Sequence, residues 1–497
     1  MSSTLRIRAN NDAPVCPGGD YVLYWMIATR RPSYNFALDR AIDLARELNR
    51  PLVILEALRV AYPWASHRLH HFVLGGMADH QRIFASTPVC YYPYIEPSAG
   101  HGSGLVERLS TRACVVVSDD YPCFFLPRMV KSLSARLKVR MEVVDSNGLL
   151  PLRATDQVFH RAMDFRRYMQ RTLPTHLGEF PREDPLSQLD LPRLEGLPLD
   201  ITNRWPPASE TLLGGAPSEL ARLPIDASVE IVPDLPGGHF AAQRRLESFL
   251  DHKLVSYGER SEPSRDVASG LSPWLHFGHI SAHQIFQAVM EREGWTPSRI
   301  LPKVTGSREG WWGVSPAAEA FLDELIVWRE VGFNFSALRE DYDQYSSLPT
   351  WVRETLDQHQ ADPRPVVYTL EELETGRTHD EIWNAAQKQL RVEGRIHNYL
   401  RMLWGKKILE WSPTPRDALA AMIHLNNKYA LDGRDPNSYC GIFWVLGRYD
   451  RPWAPVRPVF GSIRYMSSDN TRRKFDLGPY LARWGLQTPL PLKRPRA

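Results

Sequence analysis

The side chains that could carry chemistry in this chain gather in four stretches rich in Trp, Asn, Asp and Ser. In RIHNYLRMLWGKKILEW, residues 395 to 411, helical spacing puts Ile396, Leu400, Trp404, Ile408 and Trp411 near one face, while Arg401, Lys406 and Lys407 add positive charge. Trp404 and Trp411 are two turns of helix apart, about 10 Å of rise. On spacing alone they read as core tryptophans of an amphipathic helix. In LNNKYALDGRDPNSYCGIFW, residues 425 to 444, Asp432 and Asp435 flank Arg434 in a run of turn formers. That run is either a solvated turn or a polar loop aimed at a cofactor. ASGLSPWLHFGHIS, residues 268 to 281, sets Ser269 and Ser272 ahead of an apolar helical run. Hydroxyls and free amides at a helix start suit a phosphate, although a plain N-cap uses the same residues. In FLDELIVWREVGFNF, residues 321 to 335, Glu324 and Trp328 stand at i and i+4 and share one side of a helix.

No GxGxxG, GxxxxGK[ST] or CxxC pattern accompanies these stretches, so a dinucleotide fingerprint, a P-loop and a cysteine metal site find no support. The five cysteines are odd in number and scattered, and no metal is expected. A net charge of +3 is mild, so any nucleic-acid site must come from local clustering. With 43% hydrophobic and 24% charged residues the composition is that of a globular protein, and 497 residues exceed what one core holds, about 250 to 300. No run of about 18 apolar residues or secretion-type leader occurs. The expected location is therefore the cytoplasm, or the nucleus in a eukaryote.

These stretches need elements to position them. YVLYWM at 21 to 26, a helical pattern at 35 to 49, PLVILEAL at 51 to 58, CVVVSDD at 114 to 120 and RMEVVDSN at 140 to 147 predict a parallel, Rossmann-like α/β domain over residues 21 to 160. Residues 1 to 20 read as a disordered N-terminus, 161 to 236 as a Pro- and Leu-rich connector, and 486 to 497 as a tail. From 237 to 485 the apolar residues keep helical spacing, which predicts a large all-α domain.

Taken together and in order, LSPWLHFGHIS, ELIVWRE, WNAAQ, RMLWGKKILEW, LNNKY, DGRDPN and IRYM with RRKF resemble the helical flavin domain of the class II cyclobutane pyrimidine dimer photolyases, in the photolyase and cryptochrome superfamily. YWM followed by NFALDRAIDLA resembles that family's antenna domain, so the likeness runs from about residue 21 to 480. The resemblance implies one FAD, active when reduced, in the helical domain. Tyr257, Ser269, Leu271 and Ser272 would touch its phosphates and ribityl chain. Arg401 and Asp432 would pair beside the ring, with Asn426 near its N5 atom and Asp435 and Asn437 close by. Trp404, Trp383 and Trp411 match the electron-transfer tryptophans, from flavin to surface. In one straight helix Trp383 and Trp404 would lie about 31 Å apart. The helix must therefore break near Gly394 and fold back, which predicts that Trp383 packs beside both others.

The resemblance further implies a lesion pocket lined by Glu324, Trp328, Met402 and Trp444, with the two indoles holding the dimer. Asp450, Arg451, Trp453 and Arg464 would fill the gap left by a flipped-out lesion, and Arg472, Arg473 and Lys474 would add phosphate contacts, or form a solvated basic face. The implied activity is light-driven repair of pyrimidine dimers in DNA by a monomer without a membrane partner. The alternative is a cryptochrome-like blue-light receptor that repairs nothing. Where the family carries GGxHD this chain has LGRYD at 446 to 450, with Tyr449 for His. Leu403 and Gly405 stand where Tyr and Ala are common. The sequence does not identify an antenna chromophore.

Overall fold

The computed structural model describes residues 4 to 485, so the expected tail at 486 to 497 lies outside the described residues. The chain divides into two compact units. The first takes the chain up to Asp156, Arg171–Ser248 and Gly270–Arg299, and the second takes Gln157–Gln170, Phe249–Ser269 and the chain from Ile300 onward.

The first unit is built on a six-stranded sheet: β1 (Ile7–Ala9), β2 (Tyr21–Met26), β3 (Leu52–Leu58), β4 (Cys90–Ile95), β5 (Ala113–Asp119) and β6 (Met141–Val144). Their order is β1-β6-β5-β2-β3-β4, with β2 to β6 parallel and β1 antiparallel to β6. Buried runs such as YVLYWM and ACVVVSD are what a parallel sheet covered on both faces requires. The strand order reverses between β5 and β2, the place where open α/β sheets take ligands. Here the buried Asp119 occupies it: one carboxylate oxygen accepts the Ile27, Ala28 and Thr29 amides at 2.7 to 2.9 Å and the other accepts the Tyr24 hydroxyl.

Two departures from the sequence reading have plain causes. The first 20 residues, expected to be disordered, supply β1 from residue 4 onward in the described part. Arg6 is fully buried, donating to the carbonyls of Asp145, Gly148 and Leu149, and a buried, satisfied guanidinium looks like a solvent charge in sequence. β4 carries Pro93 in mid-strand, which it tolerates as an edge strand.

The second unit is helical. It takes in part of the helix Ala162–Thr172, drawn from what reads as connector, while residues 237–248 and 270–299, which read as helical domain, cluster with the first unit. Among the described residues no helix is long and apolar enough to cross a membrane.

Candidate active site

Gly394 ends the helix Glu381–Glu393 in the left-handed conformation, at φ 67°, and the chain turns back into the helix Asn398–Trp411. Asp380 fixes the start of the first helix by accepting the Ile382 and Trp383 amides at 3.1 Å. The fold-back brings Trp383 between its two partners, as the spacing predicts. Its ring is parallel to Trp404, 6.5 Å between centroids, and edge-on to Trp411 at 5.5 Å. The Trp383 indole N–H donates to the Trp404 carbonyl at 2.9 Å, and the Trp404 N–H to Gln387 Oε1 at 2.8 Å. Neither acceptor is a base at neutral pH. The expectation that Trp411 reaches the surface needs correction: it is 1% exposed, with the rings of Tyr368 and His379 edge-on against it at 5.3 and 5.4 Å. Tyr368 donates to or accepts from His379 Nδ1 at 2.6 Å, and neither residue stood out in the sequence because each sits in a stretch without periodicity.

The helix Pro415–Tyr429, a tight turn and the helix Pro436–Val445 assemble a buried amide cluster. Asn426 Nδ2 donates to Ser438 Oγ at 2.7 Å, and Asn427 Nδ2 to the Tyr439 hydroxyl at 3.0 Å. Arg434, at φ 65°, donates its amide to Asn427 Oδ1, and Asp435 caps the second helix through the Asn437 amide at 2.8 Å. A Cβ on Gly433 would stand 2.8 Å from the Asn426 carbonyl, so only glycine lets the turn close on the helix. Arg401 approaches both Asn426 Oδ1 and Asp432 Oδ1 at 3.4 Å. Both contacts are long, and both charged side chains keep some exposure, 21% and 16%. Asn437 is exposed.

Glu324 and Trp328 share a helical stretch, but it is a π-helix, Asp323–Trp328, inserted between two α-helical segments. The wider turn was illegible in the sequence, and such insertions are frequent at functional sites. Glu324 Oε1 accepts from Arg260 at 3.1 Å, and that guanidinium lies 4.9 Å from the Tyr257 ring centroid. Burial pushes the Glu324 carboxyl above the ordinary range, against the opposing charges of Arg260 and, further down, Arg308. Trp328 and Trp444 stack on each other, 4.3 Å apart and 12° from parallel. They form one flat platform. Gly332 lets the Trp328 helix approach the start of the helix Pro436–Val445, since a Cβ there would meet the Pro436 carbonyl at 2.8 Å. That second helix carries both Ser438, bound to Asn426, and Trp444, so it ties the amide cluster to the platform over about 9 Å. Met402 follows Arg401 and is half-buried.

From Arg451 the chain forms an exposed loop. The Trp453 N–H donates to Asp450 Oδ1 at 3.0 Å, and the Arg451 and Arg464 guanidinium groups lie 5.0 and 5.4 Å from its ring. Tyr449, the departure that borders this loop, points inward: it is 8% exposed and edge-on to Phe335. Its neighbour Arg448 is buried between the rings of Phe335 and Phe443 at 3.9 and 3.8 Å. Tyr449 therefore packs in the core. Of the basic trio, Arg472 is paired with Glu381, Lys474 lies over Tyr399 and Phe475, and Arg473 is exposed.

Lys406 is fully buried and donates to the Val445 carbonyl, an orphan acceptor at the end of the Trp444 helix. Burial drives its ammonium down to about 7, with Asp450 opposing and Arg464 assisting. An amine depressed in the folded state leaves the unfolded chain holding more protons between about pH 7 and 10.5, so its contribution to stability rises with pH across that window. Thermal unfolding at about pH 7 and pH 9.5 should therefore show a wild-type gain over that interval that Lys406→Met lacks.

The expected phosphate seat divides between units: Tyr257 and Ser269 belong to the second, Leu271 and Ser272 to the first. Tyr257 is buried among Phe249 and Phe321. Ser272 is the first residue of the short helix Ser272–His276, whose cap position is Leu271, so Ser272 is not the N-cap its spacing suggests.

No family model matches the chain. Among characterised proteins it is similar to deoxyribodipyrimidine photo-lyases from Methanothermobacter thermautotrophicus, 32% identical over 481 residues and spanning 96% of this chain and 97% of that one, and from Oryza sativa subsp. japonica, 33% identical over 493 residues and spanning 96% and 90%. The enzyme of that name from Potorous tridactylus is 31% identical, spanning 92% and 80%. Among solved structures, a bacterial class III photolyase from Agrobacterium tumefaciens superposes with a TM-score of 0.67 at 18% identity, covering 94% of this chain and 86% of that one. That likeness shows the fold: an N-terminal α/β domain with a parallel sheet and a large all-α C-terminal domain.

Proposed function

Because this chain belongs to the deoxyribodipyrimidine photo-lyase family, we propose that it repairs cyclobutane pyrimidine dimers in DNA with light, as an enzyme of the class II type holding one FAD. The observation that carries this reading is the link, through one helix, between the Arg401–Asp432–Asn426 cluster and the Trp328–Trp444 platform with Glu324 nearby in the same unit.

The cluster fits a flavin ring. Arg401 spends two long contacts and has further N–H donors to offer, and its fixed positive charge favours an anionic ring. Arg401, Asp432 and Asn426 would hold the ring, and a bound, reduced flavin would supply the light-driven one-electron chemistry that splitting the two bonds between the bases requires. The protein's own groups do the rest. Trp328 and Trp444 offer a flat apolar surface on which a flipped-out dimer stacks. Glu324, whose carboxyl is raised by burial against the charge of Arg260, is placed to hydrogen-bond a base carbonyl in its protonated form. The Asp450–Trp453 loop, braced by Arg451 and Arg464, fills the space the dimer leaves in the duplex. Trp411, Trp383 and Trp404, linked through Trp383, would form the path by which electrons reach a bound flavin.

Illumination of reduced holoprotein with a dimer-containing oligonucleotide tests the reading. Light-dependent recovery of thymine absorbance is the expected result. No recovery, with FAD bound and tryptophan photoreduction intact, would remove repair and leave the blue-light receptor as the function.

A further inference from the structure

The chain from Ile300 to Gly310 is a surface loop held in one shape by the helix Ala162–Thr172. Arg167 Nε donates to the Thr305 carbonyl at 3.1 Å, Gln170 Oε1 accepts the Gly306 amide at 2.8 Å, and Gln170 Nε2 donates to the Ser307 carbonyl at 3.1 Å. Gly306 has φ 74°, and a Cβ there would meet Arg167 Cγ at 2.6 Å, so the loop sits directly on the helix. At its far end Glu319 accepts the amides of Gly310 and Trp312. Arg166 joins this loop to the π-helical turn. It grips Asp323 with two bonds of 2.7 and 2.9 Å, both side chains buried, and donates to the Gly306 carbonyl at 3.3 Å. Asp323 precedes Glu324, so one guanidinium fixes the loop and the proposed lesion carboxylate together.

What this braced loop presents is charge. Lys303 and Arg308 are exposed, and among the described residues neither enters an ion pair. Arg167 adds a third cation, 47% exposed and 4.0 Å from Asp164, whose carboxylate is engaged more closely by Arg161 at 2.8 Å. Glu309 is the one exposed carboxylate within the loop. The Arg308 charge also acts on the Glu324 carboxyl. Most arginines elsewhere in this unit are matched by carboxylates, as in Arg416 with Asp357 and Arg483 with Glu393. Unmatched cations on an ordered loop beside a lesion pocket fit a fixed polyanion.

We propose that the loop from Ile300 to Gly310 is a DNA-contacting element in which Lys303 and Arg308 take backbone phosphates next to the flipped lesion. The proposal rests on the repair reading above. Its test is the salt dependence of binding by the holoprotein to a duplex bearing one pyrimidine dimer, between about 50 and 200 mM salt. Lys303→Ala with Arg308→Ala should lower the slope of log affinity against log salt by about 1.8, and weaken binding at the low-salt end at least about tenfold. Lys303→Arg with Arg308→Lys, which keeps both charges, should retain the wild-type slope. An unchanged slope in the alanine pair, or a reduced one in the charge-keeping pair, overturns the proposal. Failure of wild-type protein to prefer the dimer over an undamaged duplex would instead overturn the repair reading.

Discussion

Trp383→Phe should slow light-driven reduction of the oxidised flavin by about two orders of magnitude, equivalent to roughly 2.7 kcal/mol of barrier, and should spare repair by protein reduced beforehand with dithionite. The middle position makes the effect large. Trp404 and Trp411 each adjoin Trp383, at 6.5 and 5.5 Å, and sit two turns apart on one helix facing the same neighbour. A phenyl ring fills most of the site but is harder to oxidise than an indole, so the bridge is cut while packing survives. The replacement also loses the N–H bond to the Trp404 carbonyl, which costs about 1 kcal/mol of stability. Retention of the flavin spectrum controls for that. Transient absorption measures photoreduction, and thymine recovery under continuous light measures repair. Equal photoreduction in variant and wild type would remove Trp383 from the path.

The fold-back that makes Trp383 central was legible because it followed from a distance: a straight helix gives about 31 Å, a relay needs contact, and VEGR holds the one residue able to reverse the chain. The sheet was legible for the same kind of reason, since β2, β3 and β5 are short, mainly apolar runs that a covered parallel sheet uses. What escaped the sequence depends on partners far along the chain. Arg6 reads as a surface charge and proves to be a buried donor to a loop some 140 residues away. The π-helical turn at Glu324 leaves no mark in a pattern of apolar residues. Tyr449 looked like a change in the lesion loop, and only its orientation toward Phe335 shows it to be packing. Arg260 and Arg166 were passed over because an arginine's role is set by the carboxylate it meets, and those carboxylates lie 64 and 157 residues on.

Glu324→Ala should lower the yield of repair per absorbed photon about tenfold, roughly 1.4 kcal/mol in the branching between bond splitting and futile electron return. The argument is electrostatic. A dimer that has accepted an electron carries negative charge on its base carbonyls, and a neutral carboxyl is a donor aimed at that charge, whereas a carboxylate repels it. Burial raises the Glu324 pKa and so favours the donating form, while Arg260 at 3.1 Å favours the ionised one. Repair by the wild type should therefore fall as pH rises through the raised pKa. Glu324→Gln, which donates at every pH, should flatten that limb and keep most of the yield. Arg260→Gln removes the opposing charge and should carry the limb to higher pH. The three profiles together separate a hydrogen-bond donor from a residue that merely shapes the pocket, for which glutamine and alanine would lose activity without moving the pH dependence. A flat wild-type profile, with glutamine as damaging as alanine, would show that Glu324 acts as the ionised carboxylate or not at all.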